Sequence, residues 1–545
     1  MKKEVIIKMS LLILVLMALV AFLIALKTYG GYLGKLVGLD DSKKTPAHTM
    51  TDGVDYVPAK APVLMGHHFA SIAGGAPIVG PIAASVFGWL PCFLWIVLGS
   101  IFIGGVHDFM SLISSVRHEG KTVGVVIGKN VGKKAKVLFL IFVWLTLVLV
   151  VAVFAILVAR TFAASSSVAT ASVLMMVIAI VMGYFLYRKN MPLGTVTILG
   201  VIALAIAVWI GIAAPFLSFS YNTWIWLLFV YIFFASSMPV WILLQPRDYL
   251  SSFLLYTALG GAVLGILFGS HALQLPAVTA FKQPIGYLFP MLFVTIACGA
   301  ISGFHSLCSS GTTSKQLDKE SDAKVIGYGA MLLEGLLATL ALGSAAILTK
   351  AGLADGLANW GGPIGVFAHG MGKFLANLGI PEQIGITFGA LTVSSFLLTS
   401  LDTATRLGRY ALEELTAEWA PAISNRYVAT IITVVAGGAL ALSGSWTAIW
   451  PIFGSANQLL AGLALLGATA WLAHMGKKYS ATMYPMIFMI IVTVVALITM
   501  VFQNFAKGNY LLGCVSVVLL ILAGFVVNEG IQAINKFKTI SAKSE

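Results

Sequence analysis

Apolar runs of about twenty residues recur from one end of the chain to the other, and short polar stretches separate them. A helix needs about 20 apolar residues to cross the hydrocarbon core of a bilayer, so the pattern predicts a helical protein that crosses a membrane many times. Strand-type alternation is absent from the sequence, which argues against an outer-membrane β-barrel. We predict about fifteen transmembrane helices, near residues 9–27, 62–88, 90–115, 137–160, 167–187, 193–215, 222–245, 249–270, 288–313, 325–349, 384–403, 427–444, 449–474, 482–502 and 511–530.

The composition agrees with a membrane protein and indicates no soluble domain. Of the 545 residues, 59% are hydrophobic and only 10% are charged, and the mean hydropathy is +0.97. The longest polar stretch, residues 39–61, is too short to fold by itself. The four cysteines lie in apolar segments without a CxxC pair, so we interpret them as buried small residues.

The basic residues predict the orientation. The net charge is +13, but Lys and Arg lie mostly in short loops beside apolar runs, where the positive-inside rule explains them better than nucleic-acid binding does. Their distribution predicts an N-terminus outside and a C-terminus inside, although Lys2, Lys3 and Lys8 contradict it. The first apolar run resembles a signal peptide, but no clean cleavage site follows, so we predict a retained helix.

One predicted helix, 62–88, is interrupted near its middle. It contains Gly74-Gly75 and Pro77; glycine weakens a helix and proline removes a backbone donor. Backbone groups that are freed at membrane depth are tolerated only against protein or a water-filled cavity. This break is therefore a candidate substrate site, as in secondary transporters.

A second interruption is predicted five helices later, in a helix that runs the opposite way. Helix 222–245 contains Ser236-Ser237-Met238-Pro239 and ends at Gln245-Pro246-Arg247-Asp248. Two such helices predict an inverted-repeat transporter. The predicted divisions are an N-terminal helix and cytoplasmic loop (1–61), a first repeat (62–215), a second repeat (222–410), additional C-terminal helices (427–530) and a cytoplasmic tail (531–545).

Six short motifs are specific when taken together, at 66–75, 104–109, 244–250, 303–306, 309–317 and 453–459. They read GHHFASIAGG, GGVHDF, LQPRDYL, GFHS, SSGTTSKQL and FGSANQL, and they resemble the carbon starvation protein A family of bacterial inner-membrane transporters. The resemblance implies a LeuT-like fold of five plus five helices and nutrient uptake under carbon limitation. It also implies a peptide substrate or, as for some members, pyruvate with a coupling cation.

Polar and ionisable groups inside the bilayer are costly, so they usually mark a pathway or a structural pair. The candidate substrate-binding residues are His67, His68, Ser71, Gly74, Gly75, Ala76, Ser236 and Ser237. The candidate cation-coupling residues are His107, Asp108, His305, Ser306, Ser309, Ser310 and Thr313. Histidine titrates near neutral pH and hydroxyl oxygens suit Na⁺, but the same groups also serve as buried braces between helices.

Charged residues near the predicted inner mouth form a candidate gate. The gate residues are Arg247, Asp248, Asp402 and Arg406, with a simple interfacial ion pair as the alternative. Glu334 lies alone in its helix as a brace or a relay, and Asn457 and Gln458 are interpreted as braces. A zinc site from His67, His68, His107 and Asp108 fits by residue type but by no known ligand spacing, so no metal site is predicted.

These features predict a secondary active transporter in the bacterial inner membrane. It would import a small carboxylate, with pyruvate as the first candidate and a peptide as the second, by H⁺ or Na⁺ symport. The expected partners are this substrate and lipid, without nucleic acid or a cofactor beyond the coupling cation; the oligomeric state stays open. The alternatives are a membrane-embedded enzyme that uses His67, His68, His107 and Asp108, and a channel or nutrient sensor. No P-loop, GxSxG or HExxH motif occurs in the sequence, which favours the transporter.

Overall fold

A computed structural model describes residues 10–52, 56–239, 242–417, 420–443 and 446–544. The described regular structure is helical apart from one hairpin, in which β1 (Lys282–Gln283) pairs antiparallel with β2 (Gly286–Tyr287). The helices before the hairpin are α1 (Leu11–Lys27), α2 (Tyr29–Val37), α3 (Pro46–Thr49), α4 (Ala61–Ile72), α5 (Ala76–Ala84), α6 (Trp89–Gly99), α7 (Gly105–Val116), α8 (Val123–Asn130), α9 (Lys133–Ala164), α10 (Ser166–Tyr187), α11 (Leu193–Ala213), α12 (Tyr221–Ser237) and α13 (Leu244–Phe268).

Ten further helices follow the hairpin. They are α14 (Leu288–Ile296), α15 (Gly303–Gly311), α16 (Ala330–Ala346), α17 (Lys350–Asn359), α18 (Pro363–Ala376), α19 (Glu382–Thr416), α20 (Arg426–Ser443), α21 (Trp446–His474), α22 (Ser480–Ala506) and α23 (Tyr510–Ser544). Short 3₁₀ segments lie at Ser85–Phe87, Ala297–Gly299 and Thr313–Lys315, and π-helical segments at Ser100–Gly104 and Lys324–Gly329.

The helices show a protein that crosses the membrane many times, as the hydrophobic pattern predicts. In the described part of the chain, thirteen helical segments are long and apolar enough to span, and the bent pair Ala61–Ile72 and Ala76–Phe87 makes a fourteenth. The remaining predicted span is α12, a shorter apolar helix of 17 residues. The chain is therefore an all-α polytopic membrane protein.

The first break lies where the sequence predicts it. Helix α4 ends at Ile72 and α5 begins at Ala76, and the two halves are bent by 49°. Pro77 lies in the first turn of α5, where a missing backbone donor costs nothing. The Gly74-Gly75 pair thus separates two half-helices.

The second predicted interruption, at 236–239, separates two spans and does not break one span into two halves. Helix α12 ends at Ser237, and segment 245–248 lies in the first turns of the next helix, α13, instead of ending α12. The interrupted span is instead α14–α15, which is separated by the 3₁₀ turn at Ala297–Gly299 and by extended Ser302. Ala297 takes up a left-handed backbone conformation, with φ 45°. The predicted helix 222–245 is too long, because α12 ends at Ser237. Pro239 lies two residues after that end, where proline is common.

Three further elements differ from the prediction. Helices α17 and α18 fill the connection before α19, although no helix was predicted there. Helix α19 continues to Thr416, beyond the predicted end at 403. Helix α23 continues to Ser544, through residues 531–544 of the predicted tail, which contain no proline to stop it.

The core of the bundle is made by helices that are apolar on all sides. Helix α9 packs along α19, and most of α9 is buried, as is α21. At the N-terminal end, α1 packs against α16, with Leu11 against Gly343 and Phe22 against Gly335.

A polar strap crosses one end of the bundle. Residues 38–52 and 56–60 lie against the loop after α15. The buried carboxylate of Glu320 accepts from Arg117 Nε at 2.5 Å and from the Asp40 amide at 3.0 Å, and Thr45 Oγ1 donates to the Leu317 carbonyl at 2.5 Å. The strap thus ties the end of α7 to the loop that follows α15.

Candidate functional site

A cavity of about 410 Å³ opens between α4, α8, α9, α13, α15 and α19. Its walls are largely apolar, and polar groups enter at a few points. The polar and charged wall residues include His67, Ser71, Asp248, Ser310, Lys315, Arg406 and Glu414. A mostly apolar cavity with a few converging polar groups is typical of a small-molecule site.

Two of the predicted substrate residues line this cavity. They are His67 and Ser71, both on α4. The others lie away from its wall; these are His68, Gly74, Gly75, Ala76, Ser236 and Ser237. The cavity therefore reaches α4 ahead of the break, but not the break itself.

The two glycines of the break are required by close packing. A Cβ atom at Gly74 would clash with Ser400 Oγ, and one at Gly75 would clash with Leu397, both on α19. The glycines therefore let α19 approach the broken helix. The sequence prediction that they are kept for substrate approach misses this helix contact.

The end of α12 is held by a charged side chain. Ser236 and Ser237 lie buried in its last turn, and their hydroxyls have no partner among the described residues. Arg406 donates to the carbonyls of Ala235 and Met238, both at 2.7 Å. Arg406 therefore caps α12 while it also lines the cavity.

Four buried ionisable side chains form what we name the acid–histidine cluster: His107, Asp108, His305 and Glu334. Asp108 is bonded at both oxygens, with His107 Nδ1 2.6 Å from Oδ1 and His305 Nδ1 2.7 Å from Oδ2. The opposite ring nitrogen of His305, Nε2, lies 3.1 Å from Glu334 Oε2. The cluster residues come from helices α7, α15 and α16. All of them except Glu334 were predicted as coupling residues.

Glu334, which the sequence predicts to be a brace or a relay, is the cluster member that was not grouped with the others. The residue is fully buried, yet neither of its carboxyl oxygens has an aligned hydrogen bond among the described residues. The 3.1 Å contact with His305 is close enough for an ion pair but is not aligned as a hydrogen bond. In sequence it stands alone in an apolar run, and its partner is on another helix.

The remaining predicted coupling residues divide between two roles. Thr313 Oγ1 bonds His68 Nδ1 at 2.8 Å, which ties α4 to the end of α15. Ser306 and Ser310 donate to carbonyls of their own helix, each at 2.7 Å. The hydroxyl of Ser309 is buried and has no partner in the described part of the chain.

Three of the four predicted gate residues, Arg247, Asp248 and Asp402, lie together in a second buried charge network. Arg247 is fully buried at the start of α13; it donates to Asp402, to the Tyr231 hydroxyl at 2.6 Å and to Asp248 at 3.0 Å. Tyr231, which sequence reasoning missed, also bonds Asp402 at 2.6 Å. Arg406 stands apart from this network, at the carbonyls of α12.

The break between α14 and α15 is filled by side chains of α21. Asn457 accepts from the Phe304 amide at 3.0 Å and donates to Ser302 Oγ at 3.0 Å. Gln458 donates to the Phe293 carbonyl at 2.8 Å, and Trp450 to the Thr295 carbonyl at 3.1 Å. These side chains satisfy the backbone groups that the break frees.

A metal centre finds no support in the residues that the structure describes. Among them, no group of three or more His, Cys, Asp or Glu side chains is arranged to hold a metal ion. The two carboxyl groups of the acid–histidine cluster are instead held by, or stand beside, histidine nitrogens.

Comparison with known sequences settles the family. The model of the carbon starvation protein CstA family matches residues 10–356 and 353–496, which is most of the chain. The chain belongs to this family. It is a family of membrane transporters and not of enzymes, as the sequence motifs predict.

Curated relatives agree over nearly the whole length. The peptide transporter CstA of Helicobacter pylori (strain ATCC 700392 / 26695) is 35% identical over 512 residues, covering 81% of this chain and 74% of the relative. The pyruvate/proton symporter BtsT of Escherichia coli (strain K12) is 33% identical over 585 residues, covering 90% and 81%. The peptide transporter CstA of Bacillus subtilis (strain 168) is 32% identical over 592 residues, covering 95% and 96%.

Among solved structures, a single-residue mutant of the Eremococcus coleocola manganese transporter covers 90% of this chain and 99% of its own. The sequence identity is 13% and the TM-score 0.45. A TM-score below 0.5 does not establish a shared fold, so the arrangement of helices has to be inferred from this molecule alone.

Proposed function

We propose that this protein imports a small carboxylate by proton symport across the bacterial cytoplasmic membrane. The observation that carries the proposal is the acid–histidine cluster, which places two acids and two histidines inside a membrane bundle that also holds a substrate-sized cavity. Buried ionisable groups of this kind are costly in a membrane and serve proton relays in transporters. Histidine between two acids is suited to move a proton near neutral pH.

Sodium coupling has less support than proton coupling. A sodium site would need several oxygens that point at one ion. The hydroxyls of Ser306 and Ser310 instead donate to their own helix, and Thr313 bonds His68. Only Ser309, among the four predicted hydroxyl ligands, has a hydroxyl without a partner in the described residues.

The substrate class follows from the cavity wall. Arg406, Lys315 and His67 offer positive or protonatable groups for a carboxylate. Pyruvate, the substrate named for one relative, is the first candidate. A peptide is the second, because two of the three relatives described above are named peptide transporters. The wall acids Asp248 and Glu414 are paired with Arg247 and Lys136 and would have to exchange these partners for a substrate amino group.

We also propose an inverted repeat of five plus five helices, with altered bounds. The predicted division places the second repeat at 222–410, but the interrupted helix α14–α15 favours a second repeat that begins at residue 288. In support, the helix after each break carries a π-helical segment, at Ser100–Gly104 and at Lys324–Gly329. The N-terminus outside and the C-terminus inside remain part of this proposal.

Uptake into proteoliposomes tests the proposed function. Labelled pyruvate and a labelled dipeptide would be offered under separately imposed proton and sodium gradients, with protein-free liposomes and a protonophore as controls. We expect an inward proton gradient to drive accumulation of one of the two. Accumulation that follows only the sodium gradient, or no accumulation of either compound, would contradict the proposal.

A matched pair of lysine variants tests the cavity. Lys315→Gln removes a positive charge from the cavity wall, whereas Lys319→Gln removes one from a loop position nearby. We expect Lys315→Gln to raise the KM for the carboxylate several-fold, and Lys319→Gln to leave it within about twofold. Equal KM values for both variants would remove this wall from the substrate site.

A further inference from the structure

We propose that Glu334 is the residue that carries the coupled proton, and that it is protonated in the conformation described here. The inference rests on the proposed proton symport and names the atom that performs it. Its basis is the pattern of hydrogen bonds in the acid–histidine cluster, where the two acids have very different surroundings.

Asp108 has the environment of an ionised carboxylate. Each of its oxygens is approached by a histidine Nδ1, at 2.6 and 2.7 Å. Because a carboxylate accepts but does not donate, both His107 and His305 carry a proton on Nδ1. Charge-assisted bonds of this length stabilise the charged form of the acid.

Glu334 has the environment of a neutral carboxyl group. It is fully buried, and no described residue donates an aligned hydrogen bond to either of its oxygens. A buried carboxylate without donors is far more costly than a buried carboxylic acid. The two acids in one cluster therefore differ by one proton, and Glu334 is the one that holds it.

The groups that face Glu334 come from the elements packed around α16. Helix α7 brings His107 and Asp108, and α15 brings His305. Helix α4 also touches α16 and carries His68, whose Nδ1 is bonded to Thr313.

Three other elements packed on α16 carry charged residues besides α18. Lys27 ends α1, Lys324 begins the π-helical segment ten residues before Glu334, and Arg247 and Asp248 of α13 are bonded to each other.

Helix α5 holds no ionisable residue. The charged positions of α18, His369 and Lys373, flank Gly370, which packs on Ser344. Ser344 lies about 15 Å along the helix from Glu334, at 1.5 Å per residue.

The neighbouring histidine defines the first transfer. With His305 neutral and its proton on Nδ1, Nε2 can accept a proton. Once the 3.1 Å contact is aligned, the proton leaves Glu334 Oε2 and binds His305 Nε2; the O–H bond breaks and the N–H bond forms. The product is an imidazolium between two carboxylates. When that imidazolium releases the proton, the cluster carries two negative charges without a cation, which a membrane interior disfavours. We therefore expect the helix bundle to change conformation only when the cluster holds the proton.

The test compares Glu334→Gln, a neutral isostere of the protonated acid, with Glu382→Gln at an exposed position in the first turn of α19. Both variants are reconstituted as full-length protein. The substrate is whichever of pyruvate or dipeptide the wild-type protein accumulates. Proton-driven accumulation and substrate counterflow are measured from pH 5.5 to 8.5, and thermal unfolding in detergent checks the fold.

We expect Glu334→Gln to accumulate substrate at least tenfold less than the wild type. Its counterflow should remain measurable and should no longer vary with pH, because the fixed neutral side chain cannot release a proton. Glu382→Gln should keep the wild-type pH profile. Accumulation by Glu334→Gln with the wild-type pH profile would overturn the inference, as would a folded variant that has lost counterflow together with accumulation.

Where Glu334→Gln does not fold, Glu334→Asp decides the question. A shorter acid that carries the proton must shift the pH midpoint of uptake, and an unchanged midpoint would overturn the inference. The proposed function fails separately, if the wild-type protein itself shows no proton-driven accumulation.

Discussion

The two breaks in the helices of this protein differ in what surrounds their freed backbone groups. At the break between α14 and α15, side chains of α21 take up the freed backbone groups of Phe293, Thr295 and Phe304. At the break between α4 and α5, the Cys308 thiol lies 3.9 Å from the Ser71 carbonyl, and no side-chain hydrogen bond from the described residues reaches Gly75 or Ala76. There the gap is closed by packing, and the cavity reaches the wall residue Ser71 nearby.

The contrast shows that an interrupted helix does not by itself mark a ligand site. Freed backbone groups in a membrane must be satisfied, and protein side chains can do so as well as a ligand can. The braced break holds Ser302 and Phe304 at the start of α15, which positions His305 beside Asp108. The unbraced break lies beside the cavity. One break therefore positions the proposed proton site, and the other adjoins the proposed substrate site.

Among the substitutions that test this comparison, Asn457→Ala is expected to lower the stability most. The change leaves the Phe304 amide and the Ser302 hydroxyl without their partner on α21, and each unsatisfied buried group costs about 1–3 kcal/mol. We expect a loss of about 2–4 kcal/mol of stability, read as a lower unfolding temperature in detergent. The control is Asn504→Ala, since Asn504 donates to a carbonyl of its own helix. An equal, small shift in both variants would show that the break needs no brace.

A smaller effect is expected at the first break, from Gly75→Ala. The added Cβ meets Leu397, and overpacking of this kind costs about 1–3 kcal/mol. In a Leu397→Ala background the same change should cost less than half as much, as a double-mutant cycle of unfolding free energies would show. Gly31→Ala is the matched control, because nothing lies within 4 Å of a Cβ at that position. Additive losses would mean that Gly75 is kept for a reason other than this contact.

The smallest effect is expected from Ser306→Ala. Its hydroxyl donates to the Gly303 carbonyl in the same helix at 2.7 Å. Even hydrogen bonds between membrane helices average only about 0.6 kcal/mol, so we expect a small cost. Stability and the sodium response of uptake should both stay close to those of the wild type. A rise in the sodium concentration needed for half-maximal uptake would instead restore the predicted hydroxyl site for Na⁺.

Local signals in the sequence were sufficient for the spans and for the first break. Gly74-Gly75 followed by Pro77 weakens a helix from within a few residues, and the structure breaks there. The second break was missed because residues 297–302 read as part of one apolar run. The groups that satisfy it, on Trp450, Asn457 and Gln458, are more than a hundred residues away in sequence.

The sequence identified many of the residues that belong to the site, but it did not show which side chains contact each other. His107, Asp108 and His305 stand out because charge is rare in apolar runs, and they do lie together. Glu334 stands out equally, but its neighbour His305 lies on another helix, and only the structure shows the contact between the two side chains. Arg247 was grouped with Asp248 and Asp402, which the structure does place beside it. It was also grouped with Arg406, which instead binds carbonyls of α12, and its contact with Tyr231 was missed.

Thiol accessibility tests the contrast between the two breaks most directly. Ser71→Cys, in a background without the native cysteines, places a thiol on the cavity wall beside the first break. Native Cys298, kept alone in a second variant, places one at the second break, where Asn457 and Ser302 contact it. Both would be labelled with a small hydrophilic methanethiosulfonate, with and without saturating transported substrate.

We predict that the thiol at position 71 reacts at least tenfold faster than Cys298 and that substrate slows only the reaction at position 71. Equal rates at the two positions, or a rate at position 71 that substrate does not change, would contradict the assignment of one break to the substrate cavity and the other to a protein brace.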